Sequence, residues 1–260
     1  NSMFKTTSEL EKILDDPNLL LIDTRSFQEY SNGHISNSVN LDLFSFHWID
    51  TSKEGISSFN QQFKKIFSQV GVSEEKTVIF YDNISGMLAA RGVWLLEYFS
   101  HQNVSILDGG FTKWKNEGHA WDTIPIGYKP TNFSGVPNSK ILASFEYILE
   151  NLNKITILDV RSQEEFTGKL VRAARGGHIP TSINIDWKKN ISEQGVFKND
   201  ENLSELYQLP KDKEIITYCQ GAYRAANTYL VLKKIGFTNI KVYLGSWGEW
   251  GNKLELQIEE

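Results

Sequence analysis

The strongest constraint on this chain is that it contains itself twice. Leu21-Ile22-Asp23-Thr24-Arg25-Ser26 returns as Ile157-Leu158-Asp159-Val160-Arg161-Ser162. Glu29-Tyr30 returns as Glu165-Phe166, and Gly33-His34-Ile35 as Gly177-His178-Ile179. Val78-Ile79-Phe80-Tyr81-Asp82 then matches Ile215-Ile216-Thr217-Tyr218-Cys219, and Gly109 and Trp114 match Gly245 and Trp250. So many ordered matches imply a duplicated domain. Each copy is too long for a solenoid repeat and suits a compact domain, and 260 residues exceed the usual single-domain length. The expected boundaries are an N-terminal domain over 3–118, a linker over 119–140 holding Pro125, Gly127, Pro130, Gly135 and Pro137, and a C-terminal domain over 141–260.

Within each copy, short apolar runs alternate with segments of helical spacing. Leu19–Ile22, Thr77–Tyr81, Thr156–Val160 and Glu214–Tyr218 read as buried strands. Ala222, Ala225, Ala226, Tyr229, Leu230 and Lys233 repeat at helical spacing, with Gly236 placed to end that helix. The fold class that follows is α/β: two similar domains, each a mostly parallel sheet flanked by helices on both faces.

Composition narrows the partners. With 40% hydrophobic and 23% charged residues the chain reads as an ordinary folded protein. Its net charge of −5 disfavours a general electrostatic grip on nucleic acid. No apolar run approaches membrane-span length, so no membrane is expected. Asn1-Ser2 ahead of Met3 are set aside, and no basic stretch followed by an apolar one suggests a signal peptide. The single cysteine, Cys219, has no internal disulfide partner, which favours a reducing, cytoplasmic location.

A duplicated chain is its own control: features in both copies read as scaffold, and features in one copy read as function. His34 and His178 are therefore expected to orient turns, and Asp23/Arg25 and Asp159/Arg161 to be structural ion pairs. The sharpest difference is Asp82 in the first copy against Cys219 in the second. A lone cysteine is usually a small buried hydrophobe. This one ends a strand and opens Cys219-Gln220-Gly221-Ala222-Tyr223-Arg224, which runs into a helix, so backbone N–H groups and the positive helix end surround the sulfur. That setting favours the thiolate, the competent nucleophile. The second difference is Thr167–Gly176, standing where the first copy has only Ser31-Asn32 and bringing Lys169, Arg172 and Arg175.

These residues together resemble the two-domain rhodanese-like sulfurtransferases, the thiosulfate and 3-mercaptopyruvate enzymes. The matching pieces are Asp23-Thr-Arg25, Gly33-His-Ile35, Asp108-Gly-Gly-Phe-x-x-Trp114, Asp159-Val-Arg161, Gly177-His-Ile-Pro180, the cysteine loop and Gly245-Ser-Trp-x-x-Trp250. The resemblance implies an inactive first domain, with Asp82 in place of cysteine, and a catalytic Cys219 in the second. It implies a double displacement: the thiolate takes the outer sulfur of a small anionic donor, becomes a persulfide, and passes that sulfur to cyanide or a thiol acceptor. The Gln220–Arg224 loop would stabilise the persulfide charge. Arg175 resembles the family position from which a basic residue meets the donor, and Arg224 either joins it or braces the loop. No metal or organic cofactor is implied, and no metal-ligand spacing or nucleotide loop appears.

Two departures bear on the donor. The mercaptopyruvate enzymes typically carry Cys-Gly-Ser-Gly-Val-Thr and the vertebrate thiosulfate enzymes Cys-Arg-Lys-Gly-Val-Thr. Here glycine is third, not fourth, and no loop lysine is present. A glutamine-containing loop ending in arginine is nearer the bacterial thiosulfate enzymes, so thiosulfate leads and 3-mercaptopyruvate follows. A cysteine phosphatase of the same fold needs five residues between cysteine and arginine; this loop has four. A non-catalytic binding module would fit better had both copies lacked cysteine.

Overall fold

The structure, a computed structural model, describes residues 2–260. It divides into two compact units. One comprises the chain up to His47, Phe59–Pro137 and Ile191–Phe197; the other comprises Trp48–Ser58, Asn138–Asn190 and Lys198–Glu260.

Each unit is built on an all-parallel five-stranded sheet. Across the first, the strands run Val39–Asn40, Leu19–Asp23, Thr77–Tyr81, Val104–Leu107 and Phe4–Lys5; across the second, Ile183–Asn184, Thr156–Asp159, Ile215–Tyr218, Ile240–Tyr243 and Leu142–Ala143. The two orders correspond strand for strand. The α/β reading therefore holds, and the middle strands Thr77–Tyr81 and Ile215–Tyr218 are mostly apolar because helices cover the sheet. Ile215–Tyr218 is wholly buried, as are the last four residues of Thr77–Tyr81.

The cores correspond as well. Leu21, Ile35, Ile79, Tyr81, Phe111 and Trp114 pack together in one unit; Ile157, Ile179, Ile216, Tyr218, Trp247 and Trp250 do so in the other. Burying a side chain of this size stabilises the fold by roughly 1.5–3 kcal/mol.

Polar fixtures present in both copies prove structural. Arg25 Nη2 lies 2.7 Å from Asp23 Oδ2 and 2.7 Å from the Gly33 carbonyl; Arg161 repeats both distances with Asp159 and Gly177. All four side chains are buried, which makes each pair a satisfied internal clamp. His34 stacks on Tyr30 and His178 on Phe166, each with Nδ1 at the carbonyl of its stacking partner. Between residues 123 and 138 the chain forms no regular element. It still packs: Phe133 is buried, and the Thr131 N–H donates to the Ser68 carbonyl.

Candidate active site

Cys219 follows the strand Ile215–Tyr218 and precedes the helix Tyr223–Lys234. A free thiol, it is only 1% exposed. The turn after the strand Ile240–Tyr243 holds its loop in place. Ser246 Oγ accepts the Cys219 N–H at 3.1 Å and itself donates to the Tyr243 carbonyl at 2.9 Å. The N–H groups of Trp247 and Gly248 donate to the carbonyls of Cys219 and Gln220 at 2.8 and 2.9 Å. A Cβ on Gly248 would sit 3.0 Å from the Gln220 carbonyl oxygen, so this close approach needs glycine. Ala222, the fourth loop residue, takes φ 72°, a left-handed conformation that costs a non-glycine residue about 1–2 kcal/mol.

Arg224 braces the loop. Its guanidinium donates to both oxygens of Glu165, at 2.8 and 3.1 Å, and the Glu165 side chain is only 3% exposed. Burial alone would raise the Glu165 carboxyl, but the Arg224 fork, with Arg161 adding its charge, holds it down at about 2. Burial likewise opposes the Arg224 charge; the hydrogen bonds to Glu165 and the charge of that carboxylate overcome it and hold the guanidinium above its ordinary range. Glu165 also reaches Arg172 Nε at 3.5 Å, and Gln220 Nε2 donates to the Arg172 carbonyl at 3.3 Å. The inserted segment is thus fastened to the cysteine loop. Glu165 also closes a capping box with Ser162, and nothing in the sequence pairs it with Arg224.

Arg175 does something other than expected. Its guanidinium donates to four backbone carbonyls, those of Trp250, Gly251, Lys253 and Leu256, at 2.6 to 3.3 Å. A side chain so committed to the closing turn of the chain has little left for an anionic donor. The correction is to a structural arginine. Lys169 is exposed, and Arg172, with 54% of its side chain exposed, is the cation of this segment tied to the cysteine loop.

The first copy shows what its equivalent loop does with a negative charge. The two oxygens of Asp82 accept the N–H groups of Ile84 and Ala89 at 3.1 and 3.0 Å. Burial raises the Asp82 carboxyl to about 6, against the pull of those hydrogen bonds. The folded state therefore binds this proton more tightly than the unfolded chain. Stability contributed here rises as pH falls through 6 toward the ordinary carboxylate range. Asp82→Asn should remove that slope, which denaturant midpoints between pH 4 and 7 will measure.

Among the described residues no group of three or more His, Cys, Asp or Glu side chains is placed to hold a metal ion. Among the same residues no helix is long and apolar enough to cross a membrane.

The rhodanese-like domain family matches the chain twice, over residues 6–117 and 144–253. The chain belongs to the rhodanese-like family. Among its relatives is a thiosulfate sulfurtransferase of Pseudomonas aeruginosa, 31% identical over 97% of this chain and 95% of that protein. A sulfur carrier protein of Thermus thermophilus is 32% identical over 97% and 95%. The crystal structure of a 3-mercaptopyruvate sulfotransferase from Escherichia coli superposes with a TM-score of 0.81 at 26% identity, covering 96% of this chain and 100% of that one. Both rhodanese-like domains fall where the internal repeat lies, and the single cysteine lies in the second.

Proposed function

We propose that this rhodanese-like protein is a thiosulfate sulfurtransferase that carries sulfur on Cys219. The observation that carries the reading is a free thiol at the junction of a buried strand and a twelve-residue helix, in a loop with four residues between cysteine and a braced arginine. In the first step the Cys219 thiolate attacks the outer sulfur of thiosulfate. A Cys–S–S bond forms, the sulfur–sulfur bond of the donor breaks, and sulfite leaves with its electron pair. In the second, cyanide attacks the terminal sulfur, thiocyanate departs, and the thiolate returns.

The persulfide is an anion and needs fixed donors around it. Asp82 supports this role for the loop, since its carboxylate occupies the equivalent place and is held by backbone N–H groups. Gln220, Gly221, Ala222 and Tyr223 form the turn around the sulfur, and Arg224 adds charge beside it. Arg172 takes the donor role first expected of Arg175. A half-exposed charge-assisted contact sits near the lower end of roughly 1.5–3 kcal/mol, so Arg172→Ala should cut kcat/KM for thiosulfate about tenfold. It should leave reaction of the preformed persulfide with a neutral thiol nearly unchanged. Arg175→Ala should instead lower stability.

The Escherichia coli structure favours 3-mercaptopyruvate as a second donor. A steady-state comparison of the two donors with cyanide as common acceptor tests the choice: a higher kcat/KM with 3-mercaptopyruvate overturns thiosulfate. Hydrolysis of an aryl phosphate without sulfur transfer would instead favour the phosphatase reading.

A further inference from the structure

Residues Trp48–Ser58 come from the first copy of the sequence but belong to the unit that holds Cys219. One carboxylate fastens them. Glu249 accepts the Thr51 N–H at 2.7 Å through Oε2 and the Thr51 hydroxyl at 2.5 Å through Oε1, which also accepts the Tyr243 hydroxyl at 2.6 Å. Thr51 Oγ1 in turn accepts the Phe145 N–H at 3.0 Å. Thr51 is 2% exposed and Glu249 5%. In the first copy the place of Glu249 is taken by Lys113, so this fastening belongs to the cysteine-bearing copy alone.

Two residues before Thr51, the strap reaches Gly248, whose N–H donates to the Gln220 carbonyl of the cysteine loop. A Cβ on Gly248 would meet Ile49 Cγ2 at 2.9 Å and the Gln220 carbonyl at 3.0 Å, so an isoleucine methyl and the residue after Cys219 share one bare Cα. Ile49 is 37% exposed. The first unit has a covering segment of its own: Gly195, from the second copy of the sequence, accepts the Ser85 N–H at 2.8 Å, and Asp108 fastens that segment through the Phe197 N–H at 3.0 Å. At the cysteine loop the strap sets an apolar side chain against Gly248, beside the residue after Cys219.

We infer that Ile49 is a specificity-determining wall of the Cys219 site, limiting the size of what reaches the sulfur, and that Thr51 and Glu249 are the positioning residues that hold it there. As applied to sulfur acceptors, the inference rests on Cys219 being the sulfur carrier. As applied to access, it does not.

The test uses the full chain, where Cys219 is the only thiol and every alkylation reports on it. Rates with iodoacetamide and with the bulkier N-phenylmaleimide are measured for wild type and variants. Removing a few methylenes from a site wall shifts discrimination about tenfold. Ile49→Ala should therefore raise the bulky-to-small rate ratio by about that factor. Thr51→Val should move it the same way, while Thr51→Ser, which keeps the hydroxyl, should stay near wild type. A ratio within about twofold of wild type in Ile49→Ala overturns the wall. A Thr51→Val effect that Thr51→Ser fails to rescue overturns the fastening. In parallel, persulfide formed with thiosulfate is discharged to cyanide and to glutathione, and Ile49→Ala should favour glutathione relative to cyanide. Altered alkylation ratios with no persulfide in the wild type would sink the sulfur-transfer reading and leave the wall standing. Persulfide chemistry with unaltered ratios would do the reverse.

Discussion

Cys219→Ser should lower sulfur transfer by at least about a thousandfold while the fold persists. Serine differs from cysteine by one atom, and the buried loop keeps its backbone bonds to Ser246, Trp247 and Gly248. What is lost is a polarizable nucleophile able to hold a second sulfur. Mass spectrometry after thiosulfate treatment should find an addition of about 32 Da on the wild-type peptide containing Cys219 and none on the variant. Turnover retained by the serine variant would remove Cys219 from the mechanism.

Glu165→Ala should be the most damaging change that leaves the loop itself untouched. It strips Arg224 of both hydrogen bonds and leaves a mostly buried guanidinium unpaired, a loss of about 3–5 kcal/mol when one partner of a buried pair is removed. It also frees Arg172 from its 3.5 Å contact. Stability and sulfur transfer should therefore fall together, and urea unfolding read beside the donor kcat/KM will show it. The pH dependence has a definite sign. Because Glu165 is held at about 2, its support is fully present above the ordinary carboxylate range and is lost only as pH falls toward 2. In Glu165→Ala that acid-side loss should disappear. Arg224→Lys keeps the charge but cannot reproduce the two-pronged contact, and should recover only part of the stability.

Much of this was legible because a duplication writes its scaffold twice. The parallel sheets, the Asp-x-Arg clamps and the stacked histidines each follow from residues that recur at matching places, and the structure repeats them down to the distances in the clamps. The cysteine was legible as the point where the repeat fails. Arg175 was not: its charge suggested an anion, but its site is decided by four carbonyls of a turn some 80 residues on in the chain, and a carbonyl carries no signature in the sequence. Glu165 and Glu249 were hidden for a related reason. Each is buried by one distant partner, Arg224 or Thr51, and neither pairing has a period to betray it.

The exchange of Trp48–Ser58 and Ile191–Phe197 between the two halves of the sequence means that neither half carries the whole of its own unit. The copy without a cysteine is then no relic awaiting deletion. Removing it would take away a piece of its neighbour's own fold, which is reason enough for one cysteine to be housed in two domains.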